Sequence, residues 1–312
     1  MNFATQSEIW LRGLERRRKP IKPATLATWG SVVRAHIIPR IGSANLSAFD
    51  NGAMKAFADG LCGNLRARTV RDIVLVAKMI VASVTDSNGN QVYARVWNDS
   101  WIDLPPVTPT STPSTDSKTI EQLISHSPPK YGILYALLAG SGLRLGESLA
   151  IRIGDDDEHT CWDRDASVIH VRKSIFRGVE QFPKTNAAVR SVDLCEELNE
   201  ALAESADRRR GRRGDFLFAS RSGTPLAPAT IYKHSLSKTS VRGAHSFRRF
   251  RVTHLSEKQV PVQIVKFWIG HAKADITEQY SRLSENLMLR REWARRVGLG
   301  FDLPQVREVV KT

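Results

Sequence analysis

The sequence predicts a mainly α-helical protein with a small antiparallel β-sheet in its second half. Three observations lead there. Apolar side chains recur at helical spacing through the first hundred residues. Asp103 to Lys118, DLPPVTPTSTPSTDSK, is rich in Pro, Ser and Thr and nearly free of large apolar residues, the composition of an extended linker. Beyond Gly154 the apolar period shortens toward two, the spacing of a half-buried strand. The chain therefore divides into a helical domain over residues 1–102, a linker over 103–118 and an α+β domain with a C-terminal tail over 119–312. Its 312 residues are enough for two ordinary cores.

In the first domain, Glu8 to Arg17 reads as a helix that runs into the basic stretch Arg16 to Lys19. A second begins near Ala24 and carries Leu26, Trp29, Val32, Val33 and Ile37 on one stripe, with Pro39 and Gly42 expected to stop it. Asp50 caps a third, which presents Met54, Phe57 and Leu61. The fourth, about Arg68 to Val84, buries Val70, Ile73, Val76, Ala77 and Ile80. In the second domain, helices are expected at Thr119 to Ser125 and Tyr131 to Ala139, followed by the Gly-bearing turn and amphipathic helix of SGLRLGESLAIRI. Val168 to Arg172 and Ser191 to Leu194 read as strands. A hairpin turn falls at Arg177-Gly178, and Lys184 lies on the next hairpin loop. Helices follow at Glu196 to Asp207, from Pro228, from His245, from Pro261 to Gly270, and at Ser284 to Val297.

A formal net charge of +14 and a pI near 10 make a polyanion the natural partner. Nucleic acid is favoured over a membrane surface. No apolar stretch is long enough to span a bilayer, and no secretory signal opens the chain. Residues 1–102 hold fourteen Lys or Arg against seven Asp or Glu. Arg66, Arg68 and Arg71 stand at a helix start, where the macrodipole prefers acids, so phosphate contacts are expected of them. Cys62, Cys161 and Cys195 show no CxxC spacing, which argues against a disulfide framework or a zinc site and for reduced thiols in a cytoplasmic protein. With no HExxH pattern, neither a metal nor another cofactor is expected.

The chemistry concentrates in His245 to Tyr280. His245 and Arg248, three apart, share a helix face, and Tyr280 follows His271 by nine residues. A cation, an imidazole and a phenol brought together could hold a phosphodiester and attack it. At Arg144, Lys184, His245, Arg248, His271 and Tyr280, in the segments SGLRLGE, PKTNAAVRSVDL, HSFRR, IGH and the late tyrosine, the chain resembles the tyrosine recombinase (phage integrase) family. The likeness spans the second domain. It extends more weakly to the first, where HIIPRIG and LSAFD resemble the family's SAM-like core-DNA-binding domain.

The resemblance implies roles. Arg144 and Arg248 would grip the non-bridging oxygens of the phosphate in a bidentate clamp. Tyr280 would be the nucleophile of a 3′-phosphotyrosyl intermediate. His245 would handle its proton, Lys184 would protonate the leaving 5′ oxygen, and His271 would hydrogen-bond the phosphate. Each residue also has a plainer reading. Arg144 can pair with Glu147, Lys173 competes with Lys184, His271 can be a helix cap, and Tyr280 can be a core tyrosine. Arg249 departs from the family pattern, since relatives commonly carry a second histidine there, and Met1 leads almost directly into the core-binding segment where many phage integrases have an arm-site-binding domain.

The implied activity is metal-independent, site-specific strand transfer for integration or excision of a mobile element. Several protomers, a tetramer in the synapse, would assemble on paired sites in double-stranded DNA, with accessory DNA-bending proteins as further partners. The alternatives are a catalytically silent DNA-binding regulator of the same fold, a Xer-type resolvase of chromosome dimers, and a type IB topoisomerase-like nicking enzyme.

Overall fold

Residues 1–18, 21–108, 114–182, 188–234, 241, 243–271 and 285–304 are described by a computed structural model. The chain falls into two units, Met1–Ser111 and Thr112–Thr312, and the division lies inside the Pro/Ser/Thr-rich stretch.

The first unit is built from α1 (Phe3–Glu15), α2 (Pro23–Val32), α3 (Ile38–Ile41), α4 (Asn51–Asp59), α5 (Ala67–Ala82) and the short α6 (Asp99–Ile102). The apolar stripe of α5 is buried as its spacing predicts, from Val70 and Ile73 to Ile80. Phe3, Ile37, Leu46, Met54 and Leu61 close around it. The Asp50 carboxylate accepts the Ala53 N–H at 2.9 Å and starts α4.

Two expectations need correction here. The first helix begins at Phe3, because the Asn2 side chain accepts the Thr5 N–H and caps it there. Pro39 does not stop the second helix. A π-turn, Val33–Ile37, joins α2 to α3 and places Pro39 near the start of the new segment, where its missing N–H is tolerated. The Arg40 guanidinium donates to the carbonyls of Ala35 and His36, at 3.4 and 3.3 Å, and supplies donors in that turn.

The second unit follows with α7 (Ser117–Ser125), α8 (Pro129–Ser141) and α9 (Leu145–Leu149), then strands β1 (Arg152–Ile153), β2 (Cys161–Asp163), β3 (Val168–Val171), β4 (Ser174–Phe176), β5 (Val179–Gln181) and β6 (Arg190–Asp193). It continues through α10 (Glu196–Arg208), α11 (Pro228–His234), α12 (His245–Glu257), α13 (Val262–Ile269) and α14 (Leu287–Val297). Every residue of α8 from Tyr131 to Ser141 is buried, so this helix, apolar on all sides, is the axis of the unit. The Phe247 ring of α12 stacks on Tyr135 of α8, with centroids 5.6 Å apart, and fixes α12 against that axis.

The sheet differs from a purely antiparallel one. Four strands lie in the order β1-β2-β3-β6, and β1 pairs with β2 in parallel. The two residues leaving α9 are too few to show a period of two in the sequence, so β1 escapes notice. β4 and β5 form a separate hairpin around Arg177-Gly178. Leu299 and Phe301, beyond α14, are buried in the core of their own unit, which places the tail through Pro304 on this unit's surface. Arg251 donates to the Gly298 carbonyl at 2.7 Å, and His254 contacts the Val297 carbonyl at 3.1 Å, so α12 grips the start of that tail.

Candidate active site

Two helices of the second unit end in left-handed glycines. Gly142 follows α8 with φ 70° and Gly270 follows α13 with φ 71°. Such caps bond some of the terminal carbonyls, Leu138 and Lys266 here, and the others keep the partial negative charge of a helix C-terminus. Arg248, buried in the first turn of α12, bridges both ends. Its guanidinium donates to the Gly142 carbonyl at 3.0 Å and to the Ile269 carbonyl. Two helix C-termini therefore hold one buried cation. Burial, reinforced by the charge of Arg144, pushes Arg248 down to about 10, which leaves it cationic at neutral pH.

Arg144 lies two residues beyond Gly142 and caps α9. Its backbone N–H donates to Glu147 Oε2 at 2.9 Å and its guanidinium to Oε1 at 2.8 Å. The Arg144 side chain is 44% exposed and that of Glu147 only 6%. The ion pair with Glu147 is thus real, yet it leaves much of the guanidinium at the surface. Glu147 is also held from the other side by Arg190 of β6, at 2.9 Å to Oε2 and 3.3 Å to Oε1. Burial alone would raise the Glu147 carboxyl, but the hydrogen bonds and charge of Arg190, with those of Arg144, outweigh it and hold the group ionised, below its ordinary value.

His245 opens α12 and His271 follows Gly270, and both are exposed. Desolvation and then the charges of Arg248, Arg249 and Arg144 lower His245. Desolvation, followed by Arg248, Arg144, Arg190 and Lys266, lowers His271. Both imidazoles are therefore neutral at pH 7 and sit in a field of guanidinium charge that suits an anion.

Four of the six predicted residues, Arg144, His245, Arg248 and His271, thus come together around two helix ends. Lys184 and Tyr280 lie outside the described residues. His271 is also the cap partner the plainer reading expected, since its N–H donates to the Lys266 carbonyl at 3.0 Å. Arg249 is half-buried and donates to Ser246 Oγ at 2.9 Å.

Other basic residues have partners of their own. Arg71 donates to the carbonyls of Pro105 and Leu104, and Arg68, largely exposed, pairs with Asp72 at 3.3 Å, so each has a partner in its own unit. After α10, Arg209 donates to the Leu217 carbonyl and Arg213 to that of Asp155, bracing loops. Residues dispersed in the sequence also bring donors together at Asp155, Asp163 and His170, whose ligand atoms lie within 4.8 Å of one another. That group offers three donors to a cation but shares no residue with the arginine cluster.

Sequence reasoning missed Arg190 and the buried group in which Asp193 Oδ2 accepts from Trp268 Nε1 at 2.7 Å and Arg290 Nε at 2.8 Å. The only available signal was alternation along β6, where Arg190 falls on the same side as the buried Val192.

The sequence profile described as "Phage integrase family" matches residues 114–286. A protein named tyrosine recombinase XerC-like, from Caldanaerobacter subterraneus subsp. tengcongensis, is 26% identical over 171 residues, covering 46% of this chain and 43% of its own length. A tyrosine recombinase XerC from Methylobacterium nodulans is 28% identical over 163 residues, covering 49% and 45%. The matched stretch thus spans under half the length of these curated relatives. In fold, the chain is similar to the Tn1549 transposon integrase bound to transposon right-end DNA, with a TM-score of 0.65, 18% identity and coverage of 92% of this chain and 99% of that one. It is likewise similar to a lambda integrase dimer bound to a COC′ core site, with a TM-score of 0.62, 16% identity and coverage of 92% and 97%.

Proposed function

The chain belongs to the phage integrase family, and from that premise we propose that it is a site-specific DNA recombinase. It cleaves and rejoins strands through a 3′-phosphotyrosyl intermediate, in the integration or excision of a mobile element. The observation that carries this reading is the meeting of Arg144, Arg248, His245 and His271 at the ends of α8 and α13.

Attack on a phosphodiester builds negative charge on its non-bridging oxygens. Arg248, already desolvated and fixed by two carbonyls, and the half-exposed Arg144 are preorganised to meet it with little rearrangement. The Tyr280 oxygen forms a bond to phosphorus while the bond to the 5′ oxygen breaks. The phenol proton passes to neutral His245, Lys184 gives a proton to the departing oxygen, and His271 donates to the phosphate. Reversal by a second 5′ hydroxyl reseals the strand, because the phosphotyrosyl bond retains the energy of the original one.

The SAM-like helical unit contributes core-DNA binding, several protomers assemble on paired sites with accessory DNA-bending proteins, and the protein acts in the cytoplasm. The likeness to two proteins named XerC supports a second reading, resolution of chromosome dimers. Recombination assays on sites flanking the gene and on chromosomal dimer sites separate the two.

The test is covalent trapping on nicked suicide substrates made from the flanking DNA. Wild-type protein is expected to form an adduct stable to denaturation, and Tyr280→Phe to form none. An adduct that survives Tyr280→Phe would sink the assignment. Since His245, the proton acceptor, titrates below its ordinary 6.5, the acid limb of the adduct-formation rate is expected below that pH. A limb at or above 6.5 in the single-turnover rate would contradict the role given to His245.

A further inference from the structure

Arg190 has no place in the mechanism above, yet its side chain is 1% exposed and its hydrogen bonds reach both halves of the arginine cluster. On one side it meets both carboxylate oxygens of Glu147, whose other partner is Arg144. On the other, its Nε donates to the Trp268 carbonyl at 2.7 Å, at the end of α13. The Gly270 backbone lies so close over it that a Cβ there would stand 2.9 Å from Nη1 and 3.0 Å from Cδ and Cζ. A fourth bond, to the Ala188 carbonyl at 3.0 Å, fixes the guanidinium to the chain just before its own strand.

From this geometry we infer that Arg190 is a positioning residue for strand cleavage, setting Arg144 through Glu147 and His271 through the Gly270 turn. The inference rests on the recombinase reading of the site. Its physical basis is charge balance. Glu147 alone would neutralise Arg144 and draw its guanidinium inward. With Arg190 supplying a second cation, the three groups carry a net positive charge, and the exposed guanidinium of Arg144 remains effective toward a phosphate. The same side chain holds the loop on which His271 stands. Displacements of about 1 Å at such a clamp cost roughly a hundredfold in rate.

The experiment compares wild type, Arg190→Met and Arg190→Lys in single-turnover adduct formation at saturating nicked DNA. DNA affinity is measured by gel shift and folding by circular dichroism. For a folded Arg190→Met, the expected result is an adduct rate lowered roughly a hundredfold with DNA affinity within about threefold of wild type. Its acid limb is also expected to move to higher pH. Loss of Arg190 removes the hydrogen bonds and charge that offset burial at Glu147, so this carboxyl, which holds Arg144, takes up a proton at higher pH.

A rate within about threefold of wild type would overturn the inference, as would rate and affinity falling together by one factor with the acid limb unmoved. If Arg190→Met does not fold, Arg190→Lys decides. It keeps the charge but, lacking the planar fork, cannot serve Glu147 and the Trp268 carbonyl at once. A tenfold or greater loss of rate at unchanged affinity supports positioning, and a wild-type rate refutes it. If wild-type protein itself makes no adduct, the recombinase reading falls, and that failure is distinct from a full-rate variant.

Discussion

The two units of this protein bury different kinds of side chain. In Met1–Ser111 the interior is apolar, from Phe3 and Trp10 through Leu46 and Ile73 to Ile102, and the buried polar residues described are Gln6 and Ser7. In Thr112–Thr312 the core also encloses Glu147, Arg190, Asp193, Arg248, Arg251, His254 and Arg290. Burying an ion is costly unless it is paired and hydrogen-bonded, and these ions are held by carbonyls and by one another. Arg248 and Arg251 grip helix-terminal or tail carbonyls, Glu147 joins the cap of its own helix to β6, and Asp193 gathers groups from α13 and α14. The second unit accepts destabilising groups, several of them where α8 and α13 end and others where the tail and α14 are held.

Breaking one of these buried pairs should give the largest effect on folding. Asp193→Ala leaves the largely buried Arg290 without its carboxylate and Trp268 Nε1–H without an acceptor. A loss of about 4 kcal/mol is expected in chemical denaturation. A loss under about 1 kcal/mol would show that these ions contribute no more than a surface pair. An apolar truncation in the first unit is expected to cost somewhat less. Ile73→Ala, at a fully buried position on α5, should lose about 3 kcal/mol by transfer and cavity terms. Because no charge is exposed or stranded, that loss should be the same at pH 5 and pH 8. A clear pH dependence would mean the first core is less purely apolar than its packing indicates.

The same contrast explains what could be read from the sequence. The helices of the first unit were legible because the residues at helical spacing on α5, and the Asp50 cap of α4, are local signals that tertiary packing leaves intact. Arg144, Arg248, His245 and His271 were recognisable through short motifs, and their convergence follows from the two glycine caps. Arg190 was not legible. In a chain with 46 Lys or Arg, an arginine's burial depends on partners far along the sequence, here Glu147 at 43 residues and the Trp268 carbonyl at 78. The Asp193 group is hidden for the same reason, with Arg290 97 residues away. β1 is only two residues long, and the π-turn before Pro39 arises from a local i→i−5 bond that no residue type announces.

Outside the interiors, the contrast between the units should vanish. Asp50 caps α4 by accepting the Ala53 N–H at 2.9 Å, and Asp116 caps α7 by accepting the Thr119 N–H at 2.7 Å. Both are exposed N-caps of similar geometry, so Asp50→Ala and Asp116→Ala should each cost about 1 kcal/mol in denaturation, the smallest of these effects. The hydrogen bonds from Thr119 hold the Asp116 carboxyl below its ordinary 3.8. Its contribution is therefore present in full above that pH and is lost as pH falls through the lowered value in the folded state. The difference between wild type and Asp116→Ala should accordingly be constant from pH 8 to pH 5 and shrink only on further acidification. If the two caps differed by several kcal/mol near neutral pH, the distinction between the units would extend beyond their interiors to the helix ends on their surfaces.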